Sequence, residues 1–243
     1  MIELGLGLLS IGRPWGQRRE PPPPEDEAVA LLETAVSLGI RFFDTAPAYG
    51  ASEATLGRFL SRLGSARAPL FIATKMGEFW DPATGVSTVN HSYSSLKASI
   101  HTSLERLGRI DLLQVHKSTV ENLASADVLR AIEYARGCGV HCFGASVSDL
   151  AAAQAAGETG WCSYLQFPFS AANSALGGIF ALARAKSIKV VINRPFAMGA
   201  IAAGAEPFEF IRKQDFSGVV LTGTKSVAHL RQNDAAFRLT FRR

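Results

Sequence analysis

Two hydrophobic patterns alternate along the chain. Short apolar runs rich in β-branched residues are each followed by a polar or Gly/Pro turn. After the turn comes a longer segment whose apolar positions recur at helical spacing. The short runs fall at Leu4–Leu9, Arg41–Thr45, Leu70–Lys75, Asp111–His116, Val140–Ala145, Ser163–Phe167, Lys189–Asn193 and Gly218–Thr222. In Glu25–Leu38, Ala28, Leu31, Leu32, Ala35 and Val36 form one apolar face. Pro21–Pro24 give that helix a rigid entry, Glu25, Asp26 and Glu27 suit its N-terminal dipole, and Gly39 supplies a left-handed end. Further helices are expected at Ser52–Leu63, Ser94–Leu107, Ala124–Arg136, Ser148–Ala156, Asn173–Lys186, Pro207–Gln214 and Ser226–Ala236.

Eight strand signals, each followed by a helix signal, predict a (β/α)8 TIM barrel. The continuous apolar strands suit a parallel sheet covered on both faces. An open doubly wound sheet would place a G-x-G-x-x-G turn between the first strand and helix. Here Gly5 and Gly7 lie inside the strand and no third glycine opens a helix. A length of 243 residues without linker or composition shift reads as a single domain over residues 1–243.

Composition narrows the function classes. The chain is 47% hydrophobic and 19% charged, which suits a sizeable core and excludes disorder. No apolar run reaches the roughly 18 residues of a membrane span, and the N-terminus has no basic leader of a secretory signal. The net charge of +4 is spread along the chain apart from the Arg18–Arg19 and Arg242–Arg243 pairs. Without a basic stripe interleaved with aromatics, nucleic acid is not an expected partner. Cys138, Cys142 and Cys162 cannot all pair, so a reducing compartment, the cytoplasm, is expected. Cys138-Gly139-Val140-His141-Cys142 has no fourth ligand at useful spacing and reads as structural; no metal is expected.

The chemistry lies where strands end, the end at which barrels of this kind build their sites. Asp44 ends the second strand run and Tyr49 follows in its loop; Lys75 ends the third and His116 the fourth. A buried Lys needs a counter-ion, and Asp44 stands on the neighbouring strand. An ammonium beside the phenol is expected to lower the pKa of Tyr49, making it a usable acid, while His116 donates to the same substrate oxygen. An acid and an electrophilic stabiliser without nucleophile or metal suit carbonyl reduction with hydride from a cofactor.

Phe43-Asp44-Thr45-Ala46, Tyr49-Gly50-x-Ser52-Glu53, Ala73-Thr74-Lys75 and Asp111–His116 resemble the aldo-keto reductase superfamily. So do Gly144-x-Ser146, Leu165-Gln166 and Gly223-Thr224-Lys225-Ser226 with Arg231 and Asn233, in family order over most of the chain. The resemblance implies an NADPH-dependent barrel reducing an aldehyde or ketone. Asp44, Tyr49, Lys75 and His116 match the catalytic tetrad, with Tyr49 as proton donor. Ser146 and Gln166 match the carboxamide site. Asn193–Gly199, with Arg194, Pro195 and Gly199, matches the pyrophosphate loop, and Lys225, Ser226 and Arg231 match the 2′-phosphate site. Two cations there favour NADPH over NADH. A helix start capped by Ser226 is the structural alternative.

The sequence also departs from the family. Val147 replaces an Asn after Ser146, there is no room before Leu4 for an N-terminal hairpin, and the loops are short, the C-terminal one above all. An open, shallow pocket is expected, with Phe79, Trp80 and the stretch to His91 as its wall. His91, His101 and His229 are expected at the surface. Two other function classes compete: a cofactor-sensing module for a protein partner, as in the potassium-channel β subunits, and a biosynthetic reductase of a bulky carbonyl or imine. Neither membrane nor nucleic acid enters any of the three.

Overall fold

The computed structural model describes residues 1–16, 20–202 and 204–241, so the Arg18–Arg19 and Arg242–Arg243 pairs lie outside the described residues. In chain order the elements are β1 (Ile2–Gly7), α1 (Leu9–Gly12), α2 (Glu25–Ser37), β2 (Phe42–Asp44), α3 (Ser52–Leu63), β3 (Phe71–Met76), β4 (Glu78–Asp81) and β5 (Val86–Val89). There follow α4 (Tyr93–Leu107), β6 (Leu112–Ser118), α5 (Val120–Leu123), α6 (Ala126–Gly137), β7 (Cys142–Val147) and α7 (Leu150–Glu158). The chain continues through β8 (Cys162–Pro168), α8 (Gly178–Ala185), β9 (Lys189–Asn193), α9 (Ala205–Arg212), β10 (Gly218–Gly223) and α10 (Val227–Phe241). Eight parallel strands close into a barrel in the order β1-β10-β9-β8-β7-β6-β3-β2. This is the (β/α)8 barrel that the alternating pattern predicts.

The pleat sorts each strand into two faces. In β6, Leu113 and Val115 join the apolar layer between barrel and helices, whereas Leu112 belongs to the small cluster inside the barrel. Gln114 and His116 follow Leu112 at steps of two, so the interior becomes polar towards the strand end. Phe42 with Asp44 and Ala73 with Lys75 repeat the step on β2 and β3. At the opposite end the Phe42 and Phe71 rings stack at 5.2 Å and Tyr164 packs against Phe71 at 6.1 Å. Aromatic rings thus cover the floor.

Local signals are met where local chemistry decides. The three acidic residues occupy the first turn of α2, and Gly39 adopts φ +84° beyond its end. Where tertiary contacts decide, boundaries move. The helix expected from Asn173 starts at Gly178, because Ser170 and Asn173 exchange backbone hydrogen bonds in a turn. The last helix continues to Phe241, its Phe237 and Phe241 rings stacked at 4.6 Å. The stretch from Glu78 to His91, where no strand run was expected, contains the antiparallel pair β4–β5. Asp81 accepts from Ala83 N and Thr84 Oγ1 to form its turn, while Val86 and Val89 stay exposed, so no buried alternation marked it.

Candidate active site

The loop carrying Tyr49 is held by close backbone approach. Gly50 adopts φ +61° and Ala51 N donates to Gly12 O at 3.0 Å. A Cβ on Gly12 would lie 1.8 Å from Tyr49 O, so α1 can press on this loop only through glycine. Ser52 and Glu53, beyond the loop, serve as anchors. Ser52 Oγ lies 2.7 Å from Thr45 Oγ1. The buried Glu53 accepts from Thr74 Oγ1 at 2.6 Å, from Ser103 Oγ at 2.8 Å and from Arg106 Nη1 at 3.1 Å. β2, β3, α3 and α4 are thereby tied together around Tyr49.

Lys75 is 1% and Asp44 2% exposed. Lys75 Nζ donates to both Asp44 oxygens at 2.7 Å and to Thr45 O at 3.0 Å. Gln114 Nε2 adds a donor to Asp44 Oδ1 at 3.2 Å. Burial is the largest single influence and pushes the ammonium down; the Asp44 carboxylate and Tyr49 together outweigh it and hold Lys75 above its ordinary value. The ammonium lies 4.8 Å from the Tyr49 ring centroid, and the Tyr49 and His116 rings meet edge to face at 6.1 Å. The pKa of Tyr49 is raised, against the expected lowering. Lys75 does pull it down, but burial is the larger effect and Asp44 adds to it, leaving the phenol above its ordinary value. Tyr49 therefore holds its proton firmly. His116 is driven well below its ordinary value by burial first and by Lys75, Lys117, Arg13 and His91 next, so its imidazole is neutral.

These side chains open into a cavity of about 820 Å³. Asp44, Tyr49 and His116 line it, and Lys75 lies behind Asp44. Ser146, Gln166, Arg194, Pro195, Gly199, Lys225, Ser226 and Asn233 line the same cavity. Arg231 does not; His229 and Gln232, on the adjoining faces of α10, take that place. The expected pair of cations is thus reduced to Lys225 with His229 nearby. Lys225 is itself engaged, 2.7 Å from Glu20 Oε2 and donating to Pro21 O at 3.2 Å. Ser226 Oγ accepts from His229 N at 3.3 Å, so it also caps the start of α10.

Gln166 Oε1, Asn193 Oδ1 and Asn233 Oδ1 are buried without a hydrogen-bond partner among the described residues. All three residues line the cavity. Buried acceptors left open in this way fit a ligand that brings N–H and O–H donors. The backbone at Arg194, Ala197 and Met198 has φ between +47° and +60°, which bends this loop over the cavity rim.

Several site residues were not found by sequence reasoning. Glu78 lines the cavity beside His116 although nothing local distinguished it. Gln114 could have been found from the pleat, two residues before His116. His91, expected at the surface, is half-buried, its Nε2 2.8 Å from His116 O. Arg13 donates to Ser87 Oγ at 2.9 Å, and its guanidinium lies 4.2 Å from the Trp80 ring and 5.9 Å from Trp15. With Met198 these residues line an adjoining cavity of about 420 Å³. Trp80 lines this adjoining cavity and not the one that holds Tyr49; Phe79 lines neither. Arg194, 5.5 Å from the Trp15 ring, links the two cavities.

Among the described residues no three His, Cys, Asp or Glu side chains gather as a metal site, and no helix is long and apolar enough to cross a membrane. The three cysteines are free, and burial pushes the Cys162 thiol up to about 12, which leaves it unreactive.

The family model described as Aldo/keto reductase family matches residues 3–207. The chain is 37% identical over 117 residues to L-galactose dehydrogenase of Arabidopsis thaliana, covering 46% of this chain and 33% of that protein. It is 37% identical over 161 residues to D-threo-aldose 1-dehydrogenase of a Pseudomonas species, covering 56% and 47%. It is 33% identical over 122 residues to the NADP(+) aldo-keto reductase yakc of Schizosaccharomyces pombe, covering 49% and 34%. The matches thus span between a third and a half of these curated relatives. A solved structure assigned to the aldo-keto reductases of Pseudomonas aeruginosa superposes with a TM-score of 0.83 at 26% identity, covering 98% of this chain and 89% of that one. The holo form of an aldo-keto reductase from Bacillus halodurans gives 0.84 at 20% identity over 96% and 86%, a likeness of fold alone.

Proposed function

The chain belongs to the aldo/keto reductase family, and from that membership we propose that it is an NADPH-dependent reductase of an aldehyde or ketone, with Tyr49 as the proton donor. The observation that carries this reading is the buried Asp44–Lys75 pair set beneath Tyr49 in the cavity wall. Bound NADPH supplies the hydride.

The open oxygens of Gln166, Asn193 and Asn233 suit a carboxamide and hydroxyl groups, while Ser146 brings a further hydroxyl to the same wall. Arg194 and Lys225 supply cations for phosphates, Lys225 at the N-terminal end of α10. Tyr49 holds its proton until a carbonyl oxygen gains negative charge; the Lys75 ammonium then stabilises the phenolate left behind. Asp44 keeps that ammonium charged and in place. Trp15, Trp80 and Met198 offer an apolar wall to the rest of the substrate. One barrel carries the whole activity in this proposal, and three free cysteines suit a reducing compartment such as the cytoplasm.

Purified protein mixed with NADPH and a panel of aldehydes and ketones is expected to consume the near-ultraviolet absorbance of the reduced cofactor. Tyr49→Phe is expected to lower kcat by at least about a hundredfold while NADPH still binds. Turnover unchanged in that variant would overturn the role of Tyr49. Tight NADPH binding without turnover on any carbonyl would point to the cofactor-sensing module instead.

A further inference from the structure

One buried acid faces the cavity and has no part in the reading above. Glu78 is 6% exposed and lines the cavity together with Tyr49 and His116. The backbone around it fixes its place. Gly77, at φ +104°, leaves room for the His91 ring where a Cβ would stand 2.4 Å from His91 Nε2. Asn90 N donates to Gly77 O at 3.0 Å and closes the base of the β4–β5 pair, while β4 packs against the Pro47–Tyr49 segment. The carboxylate is thereby carried to the corner of the cavity where Tyr49 and His116 meet a carbonyl.

A buried carboxylate needs hydrogen-bond donors or an opposite charge. Among the described residues none donates a hydrogen bond to Glu78. His116 Nδ1 lies 3.0 Å from Oε2 without forming one. Donation from His116 to the carbonyl oxygen puts the imidazole proton on Nε2, so Nδ1 has none to give. The neighbouring cations are engaged elsewhere. Lys75 is matched by Asp44 at 2.7 Å. Arg13 donates to Ser87 Oγ and lies over the Trp80 ring, and the His91 ring is held at His116 O. Lys117 Nζ stands 3.9 Å from Glu78 Oε1 on a side chain that is 56% exposed. An ion pair of that length, half in water, offsets little of what burial costs the carboxylate. The charge of Glu78 also reaches the reaction centre: after burial and Asp44, it is a further influence that raises Tyr49.

We propose that Glu78 is a binding residue for an ammonium group on the substrate, so that the substrate class is a carbonyl compound carrying a protonated amine close to its C=O. The substrate class rests on the carbonyl-reductase reading. An ammonium supplies what this carboxylate lacks, a full opposite charge and three N–H donors. A hydroxyl supplies one donor and no charge, and an alkyl group supplies neither. In the reaction the carbonyl carbon takes the hydride and the oxygen takes the Tyr49 proton. The C–N bond and the ammonium pass through unchanged, and the product is an amino alcohol.

Two measurements on the full chain test this. Calorimetric titration with 3-amino-1-propanol, 1,3-propanediol and 1-butanol compares ammonium, hydroxyl and methyl on the same three-carbon frame. The amine is expected to bind about tenfold or more tighter than either neutral compound, and Glu78→Gln to remove that advantage. Lys117→Met, which takes away the competing cation, is expected to tighten the amine by about threefold. Equal binding of amine and diol in wild type overturns the proposal. So does an amine preference that survives Glu78→Gln or is lost in Lys117→Met. In turnover, 3-aminopropanal is expected to exceed butanal in kcat/KM by about tenfold or more, with that ratio collapsing in Glu78→Gln. A ratio near one in wild type overturns the substrate class. Amine binding that depends on Glu78 in a protein that reduces no carbonyl sinks the reductase reading and leaves the ammonium site standing.

Discussion

Replacing Asp44 with Asn separates the structural from the chemical role of the buried pair. Asp44 and Lys75 are almost completely enclosed, and the ammonium has both carboxylate oxygens at 2.7 Å and Thr45 O at 3.0 Å. The substitution keeps the shape and removes the charge, leaving the ammonium with neutral acceptors alone. Breaking a buried pair from one side costs about 3–5 kcal/mol, against about 0–1 kcal/mol for an exposed pair. The enclosed geometry places this pair in the larger range, a big share of the roughly 5–15 kcal/mol that holds a domain folded. The sign with pH follows from Lys75. Its pKa is raised in wild type, so the pair's contribution is present below the ordinary lysine value of 10.5 and fades as pH rises through the folded value. In Asp44→Asn burial, the largest influence, is opposed by Tyr49 alone, so the variant should regain stability on the alkaline side as Lys75 loses its proton. Urea unfolding followed by circular dichroism at pH 7 and pH 10 measures both. The double variant Asp44→Asn/Lys75→Met should be less destabilised than the sum of the single changes. A loss below about 1 kcal/mol at pH 7, or additive single changes, would refute the reasoning.

Other consequences follow from the same geometry. His116 is neutral and held well below 6.5, so the unfolded chain takes up a proton before the native one as pH falls through 6.5. Its stabilising share is present above that value and lost below it, with a limiting slope of about 1.4 kcal/mol per pH unit, and His116→Asn should flatten the acid limb of a stability–pH curve. Gly12→Ala would drive a Cβ into Tyr49 O, and should cost about 1–3 kcal/mol in urea unfolding together with a fall in kcat. Lys225→Met should weaken NADPH about tenfold, about 1.4 kcal/mol, while leaving NADH nearly unchanged in fluorescence titrations. Glu20→Gln, which releases Lys225, should shift the preference towards NADPH by up to about fivefold.

Much of this molecule was legible in its sequence because the relevant forces act over a few residues. Strand runs, helical stripes, the acidic start of α2 and the left-handed Gly39 each express local backbone and burial preferences. Eight repeats of one such unit leave the closed parallel barrel as the arrangement that covers every strand on both faces. The pleat then carries Asp44, Lys75 and His116 to one end of it. Only the tertiary structure decided how these groups affect one another. Burial outweighs the pull of Lys75 on Tyr49, which no reading of spacing could weigh. Arg231 turns away from the cavity that His229 enters, because two residues along a helix are about 200° around its axis. Glu20 meets Lys225, and Glu78 meets His116, across long stretches of chain. Local sequence fixes the direction and period of each element; the charge balance of a cavity is a sum over residues that meet only when the barrel has closed.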